Sequence, residues 1–464
     1  MMKSPGCLFP HFGSLHAEQE QPWLLDAFVP PPVYGYLVEM QSWVVLGSSG
    51  SGKTALRSAL KSDAESRSSA PIFVIDWQPT SDSVFSDSLS AYQHVMGGIL
   101  RAFATRIVGW AAGTPDRFMA LSATARWLLG WFCQRWLNQG PEFVAADMAE
   151  RHGAGAQAAL QCLLVDTYPD VFREPVYEIE VLAELTRSLQ LAGFEGVWLL
   201  IDNFERNGQD NPHRVAALLG HLLGTLGLFE IDGFCIKMMV SGHHRDLVLS
   251  SRAVTSYRVG VAELQWTEPE LDEILNKRVA LALGRSISGM REICQESFLS
   301  NLLRKYGGAL PRGWLEIAAP YVVAYSRRPE KHPLSDKECE QVCRISPPRI
   351  YRDAESRQIL IGHSPIPQLS PQSIRLLDYL YDKMGQVCTR SELYYHALEG
   401  LAQEPHPGDA SYQEPKIWKA AFDNVVYRLR QGIEPLPHEP VYIIIDRRNG
   451  VRLQVPSGGA VSRL

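Results

Sequence analysis

The stretch "WVVLGSSGSGKTALRSALKSD", residues 43–63, decides the fold. Four apolar residues run into Gly47, a turn of glycines and serines follows, and "ALRSALKSD" continues with helical spacing. Residues 47–54, "GSSGSGKT", match the spacing G-x-x-x-x-G-K-[ST] in full, between a strand and a helix. The chemistry needs these residue types. Gly47, Gly50 and Gly52, with Ser51 inside the curl, let the backbone fold so that its N–H groups and the helix N-terminus point at phosphate oxygens. Lys53 is placed to bridge the β and γ phosphates and the Thr54 hydroxyl to ligate Mg²⁺, so the cofactors expected are ATP and Mg²⁺.

Working outward, three more apolar runs stand as buried strands: "PIFVIDW" from Pro71, "VWLLID" from Val197 and "FCIKMMVSG" from Phe234. Helical periodicity between them gives an α/β class with a parallel sheet. Asp202, at the end of the Val197 strand, is the second candidate Mg²⁺ ligand, opposite Thr54. The next position holds Asn203, which cannot accept a proton. Glu205 is then the candidate general base, with a solvated acid near Arg206 as the equal alternative. After the Phe234 strand, "SGHHR" offers Arg245 as a γ-phosphate contact, while His243 and His244 lack the spacing of metal ligands.

Composition narrows the function classes. The chain has 464 residues, 45% hydrophobic and 21% charged, with a formal net charge of -6, so two or three ordinary globular domains are expected and a nucleic-acid site must be local. The eight cysteines form no Cys-x-x-Cys pair, which suits reduced thiols, and an ordinary helix explains Cys339 and Cys343 better than a metal. The N-terminus lacks a secretion-type apolar region. The longest apolar run, residues 215–229, carries His221 and three glycines and is shorter than the roughly 20 residues of a membrane span. The expected location is cytoplasmic, away from membranes.

The expected organisation is an N-terminal segment at 1–40, a nucleotide core at 41–285, a helical lid at 286–330, a linker at 331–345 and a last domain at 346–456. Residues 91–168 read as a helical insertion in the core. Its aromatics Trp127, Trp131, Phe132 and Trp136 suit helix packing better than a partner surface.

The order of the phosphate loop, "LLIDNFER", "MMVSGHHR", "LQWTEPELDEILNKRV" and "GGALPR" resembles the STAND and AAA+ group of P-loop ATPases, over roughly residues 43–325. The resemblance implies a helical lid after the core and an arginine that reads the nucleotide, which falls on Arg312. Asn203 departs from the group and points to slow hydrolysis.

The C-terminal pattern is different. Residues 369–398 give a helix with Ile374, Leu376, Leu377, Leu380 and Tyr381 on one face, then the capping pattern Thr389-x-x-Glu392 opening a second helix. "IWKAAFDNVVYRLRQGI" puts Trp418, Phe422, Val425, Val426 and Leu429 on the buried face of a third, and "YIIIDRRNGVRL" reads as a hairpin turning at Asn449-Gly450. Three helices and a hairpin make a winged helix-turn-helix. Residues 349–455 resemble the OmpR/PhoB-type effector domain, with Val451 in place of the usual wing tyrosine and a longer loop at 399–415. The resemblance implies double-stranded DNA as partner. Lys416, Lys419, Asn424, Tyr427, Arg428 and Arg430 lie outside the third helix's apolar face, and Arg447, Arg448 and Arg452 lie on the wing. Acids and bases nearly balance here, so a protein-docking use stays open. Self-association, or a protein bound through the insertion or the winged helix, are the further partners considered. The sequence thus leads to an ATP-dependent switch acting on DNA in transcription, defence or a mobile element, with a protein-assembly ATPase as the alternative.

Overall fold

The computed structural model describes residues 21–68, 70–79, 88–137, 140–165, 177–204, 212–295, 297–328, 332–353, 357–366, 369–446 and 450–454. Two compact units form: Pro30–Gln265, and Met1–Val29 together with Trp266–Leu464.

The first unit is built on five parallel strands: β1 (Ser42–Gly47), β2 (Phe73–Trp77), β3 (Val197–Ile201), β4 (Phe234–Ser241) and β5 (Val259–Glu263), in the order β2-β3-β4-β1-β5. Every residue of β3 and β4 is buried, which is why these strands are uninterrupted apolar runs and not alternating ones. Gly47 pairs with Ser241 on β4, and Leu46 with Glu263 on β5. The fifth strand escapes the sequence reading because "VGVAE" is short, carries a glycine and sits half-exposed at the sheet edge. Lys237, in the middle of β4, is fully buried and donates from Nζ to the carbonyls of Glu39 at 2.7 Å and Gln41 at 2.6 Å.

Helices cover this sheet: α1 (Lys53–Ser66), α2 (Ser88–Gly113), α3 (Ala123–Trp136), α4 (Glu178–Leu191) and α5 (Pro212–Gly224). An aromatic core joins them, with Phe73 centred 6.0 Å from Phe103 and 5.2 Å from Phe194. Trp131 and Phe132 of the insertion belong to that core, and Trp127 is 47% exposed. The apolar run at 215–229 is α5 and a following 3₁₀ turn, with Leu218, Leu219, Leu222 and Leu223 buried. Among the described residues no helix is long and apolar enough to cross a membrane.

The second unit opens with α6 (Glu268–Leu283), whose Leu271, Leu275 and Val279 pack in one cluster with Ile293, Leu299 and Trp314. That packing draws the unit boundary at Trp266, ahead of the expected lid at 286. Next come α7 (Phe298–Tyr306), α8 (Pro311–Ser326) and α9 (Asp336–Ile345), where Cys339 and Cys343 face the core. An antiparallel sheet of β6 (Ile350–Arg352), β7 (Ile359–Ile361) and β8 (Ser364–Pro365) leads to α10 (Pro371–Asp382), α11 (Arg390–Glu392, continued by a π turn over Leu393–Leu398) and α12 (Pro415–Ile433). The hairpin β9 (Ile443–Asp446) and β10 (Gly450–Leu453) is the last element among the described residues, Val451 pairing with Ile445.

Local chemistry explains these elements. Thr389 Oγ1 accepts from the Glu392 amide at 3.0 Å while the Glu392 carboxylate accepts from the Thr389 amide at 3.2 Å, the reciprocal cap read from the sequence. Trp418, Phe422, Val425, Val426 and Leu429 are all buried on α12, and Tyr394 stacks on Trp418 at 4.5 Å. On α10 the expected Ile374 is instead 48% exposed, and Ser373 takes the inward position beside the Ser370 cap. Glu434, buried just past α12, accepts from the amides of Val441 at 2.7 Å and Ile443 at 2.6 Å and so ties the hairpin to the helix end.

Candidate functional site

All five strands being parallel, their carboxyl ends line one edge of the sheet, where ligands bind in open α/β folds. Gly47 ends β1 at that edge, and the chain curls through Gly50 at φ 83° and Gly52 at φ 97° into α1. Both φ values lie where only glycine fits without strain. A Cβ on Gly47 would stand 2.5 Å from Ser51 Oγ, so a larger residue there would force the Ser51 side chain to move. Lys53 Nζ donates to the carbonyls of Gly47 at 2.6 Å and Ser48 at 3.0 Å, and Thr54 follows in the first turn of α1. The sequence-expected Gly47, Gly50, Ser51, Gly52, Lys53 and Thr54 therefore form one loop at the head of one helix.

Asp202 follows β3 and is 2% exposed. Its Oδ2 accepts no hydrogen bond among the described residues. Its neighbour there is Arg57, one turn after Lys53 on α1, with Nε 3.8 Å away. The same guanidinium places Nη1 3.2 Å from Oδ1 of Asp76 on β2. A buried carboxylate with unspent acceptor capacity suits a divalent ion or its water shell, so Asp202 and Thr54 fit a Mg²⁺ site by the chemistry of their donors.

Asn203 stands at φ 61°, in the left-handed region. Asn tolerates that conformation better than a β-branched or long side chain, so the residue turns the chain away from the strand. Glu205 and Arg206 lie outside the described residues. Arg245 follows β4 and pairs with Glu263 at 2.5 Å. Since β4 and β5 flank β1, this pair crosses the end of the phosphate-loop strand. Arg312 belongs to the other unit, half-buried in the first turn of α8.

Three participants at this edge are not apparent from motif reading: Arg57, Asp76 and Glu263. Their signals are present in the chain. Arg57 lies four residues after Lys53, hence on its helix face, Asp76 is the penultimate residue of β2 and Glu263 closes β5.

No protein-family model matches this chain, and no curated protein does. Comparison with solved structures returns the Aeropyrum pernix Orc1 protein in complex with DNA, at 14% sequence identity over 93% of each chain, with a TM-score of 0.32. So slight a likeness assigns nothing, and the chain's own residues carry the functional reading.

On the second unit, the outer face of α12 exposes Lys416, Lys419, Asn424, Tyr427 and Arg428, and Arg452 is exposed on β10. Lys416 pairs with Glu414. Arg430 differs from these: it is half-buried, and its Nε is enclosed without a hydrogen bond among the described residues. Arg447 and Arg448 lie outside the described residues.

Proposed function

We propose that this protein is an ATP- and Mg²⁺-binding switch of the P-loop ATPase type, related to the STAND and AAA+ group, that controls DNA binding through a C-terminal winged helix of OmpR/PhoB type. The observation that carries the reading is the phosphate loop at the carboxyl edge of a parallel sheet, with buried Asp202 two strands away in the order β3-β4-β1.

The chain's residues divide the work. The curled amides of residues 47–52 and the α1 N-terminus would hold the phosphates, Lys53 would supply a fixed positive charge, and Thr54 and Asp202 would hold the metal. Mg²⁺, when bound, neutralises charge on the β and γ phosphates. Arg245 would turn toward the γ phosphate when its pair with Glu263 opens, and the nucleotide-reading role of Arg312 is what the resemblance implies. Asn203 offers no general base, which leaves Glu205 as the candidate and favours slow turnover over a motor's rate. A transcription regulator, or the DNA-sensing arm of a defence or mobile-element system, is the role that such a switch fills.

Mobility shift and size measurement with ADP, ATP and a non-hydrolysable analogue test the proposal together. Nucleotide-dependent DNA binding supports it, and DNA binding indifferent to nucleotide overturns it. Hydrolysis undiminished in Glu205→Gln removes Glu205 as the base. One observation favours a second reading, in which the winged helix docks a protein: Ile417 and Tyr427 on the outer face of α12 are 63% and 62% exposed.

A further inference from the structure

We propose that Arg57 is an internal counter-cation that occupies Asp202 and Asp76 and makes divalent-metal binding conditional on bound nucleotide. The inference rests on reading the loop as a nucleotide site, and it assigns a positioning role to a residue outside the phosphate-loop motif.

Arg57 sits on α1 with its side chain 3% exposed, so its charge is withdrawn from water, and a guanidinium does not deprotonate in a protein. Two carboxylates share it. Asp76 lies within hydrogen-bond range at 3.2 Å, and Asp202 lies at 3.8 Å, near enough for charge attraction but too far for a directional bond. Lys61 adds a weaker contact to Asp76 at 3.9 Å. Asp202 thereby keeps a charge partner without a directional bond, and its Oδ2 keeps its acceptor capacity.

This arrangement sets a threshold for a metal ion. Two bare acids near one sheet edge would attract a divalent cation by themselves. With Arg57 between the two acids and Lys61 beside Asp76 the local charges balance, and a cation approaching Asp202 meets a fixed positive charge about 4 Å from the same carboxylate. The phosphates of a nucleotide in the loop add the negative charge that reverses the balance. Metal and nucleotide then bind as a pair and not in sequence.

Mn²⁺ titration of the full chain, followed by electron paramagnetic resonance, tests this with and without ADP. The wild type is expected to take up Mn²⁺ far more readily with ADP than without it. Arg57→Gln is expected to bind Mn²⁺ without nucleotide at least about tenfold more tightly than the wild type, and Arg57→Gln with Asp202→Asn to lose that gain. Asp76→Asn, which gives Arg57 wholly to Asp202, should shift the ADP-dependent titration the other way, to higher Mn²⁺. If Arg57→Gln fails to fold, judged by thermal melting, the Asp76→Asn shift decides. Nucleotide-free Mn²⁺ binding equal in wild type and folded Arg57→Gln overturns the proposal, as does an unmoved Asp76→Asn titration. A parallel titration with fluorescent ADP separates the two ideas: a wild type without ADP affinity overturns the nucleotide site, whereas intact ADP affinity with an unchanged Mn²⁺ response overturns only the role of Arg57.

Discussion

The Lys53 ammonium lies 2.6 Å from the carbonyl oxygen of Gly47, so the cation of the phosphate loop is anchored to the residue that opens that loop. Its positive end is thereby kept inside the curl at the head of α1. Lys53→Ala removes one charge-assisted contact to phosphate, typically about 1.5–3 kcal/mol, and ADP affinity should fall roughly 10- to 100-fold by fluorescence titration. Thermal stability should change little, because the bonds Lys53 gives to Gly47 and Ser48 stay within its own loop.

Asn203 tests whether the chain after Asp202 is shaped by conformation. At φ 61° a glutamate is strained where asparagine is not, so Asn203→Glu should cost about 1 kcal/mol in urea unfolding, and Asn203→Gly should cost less. The same Glu variant should not accelerate phosphate release, because the left-handed backbone aims the side chain away from the direction that an extended strand would give it.

Lys237 gives a pH signature. Burial pulls its pKa from 10.5 down to about 7, against the partial support of the Glu39 and Gln41 carbonyls. Below pH 7 the lysine is charged in both folded and unfolded chains and its burial penalty is complete. Between about 7 and 10.5 the unfolded chain binds the extra proton, so stability rises with pH, by at most about 1.4 kcal/mol per unit. Urea midpoints of wild type minus Lys237→Met should increase from pH 6.5 through pH 9.5; a flat difference would refute the assignment.

Much of this was legible in the chain because it depends on local chemistry. The phosphate loop, the β3 run into Asp202, the Thr389 and Glu392 cap and the buried face of α12 each follow from residue spacing alone. What stayed hidden depends on tertiary neighbours. The strand β5 is too short and too exposed to show a buried run, and α6 joins the second unit through contacts with residues far along the chain. Arg57 reads as an ordinary helix-surface arginine until Asp76 and Asp202 are brought beside it. Arg430 lies just off the apolar face, where the sequence leaves open both a DNA contact and a pair inside the domain, and the fold half-encloses it.

The end of α7 is hydrogen-bonded to the small antiparallel sheet, and the start of α8 packs closely against both, which gives a mechanical prediction. The His363 amide donates to the Tyr306 carbonyl at 2.7 Å, and Tyr306 Oη donates to the Ile433 carbonyl at the end of α12 at 3.1 Å. A Cβ on Gly313 would stand 2.0 Å from the Gly307 carbonyl and 2.9 Å from His363 Cβ. Gly313→Ala should therefore destabilise the second unit by about 1–3 kcal/mol, the cost of overpacking. Gly220→Ala, within α5 and with open space around it, should be neutral or stabilising in the same thermal scans.

The outer face of α12 separates DNA binding from protein docking. If the face reads DNA, Arg428→Ala and Arg452→Ala should each weaken binding, and loss of a phosphate contact should reduce the slope of log affinity against log salt by about 1. Arg430→Ala should instead lower thermal stability, because its guanidinium is partly enclosed by the domain. Ile417→Glu adds a negative charge to an exposed apolar position and should weaken DNA binding by repulsion from phosphate. Should Ile417→Glu abolish capture of a protein partner while Arg428→Ala leaves DNA affinity and salt slope unchanged, α12 is a docking helix and the DNA-directed switch is refuted.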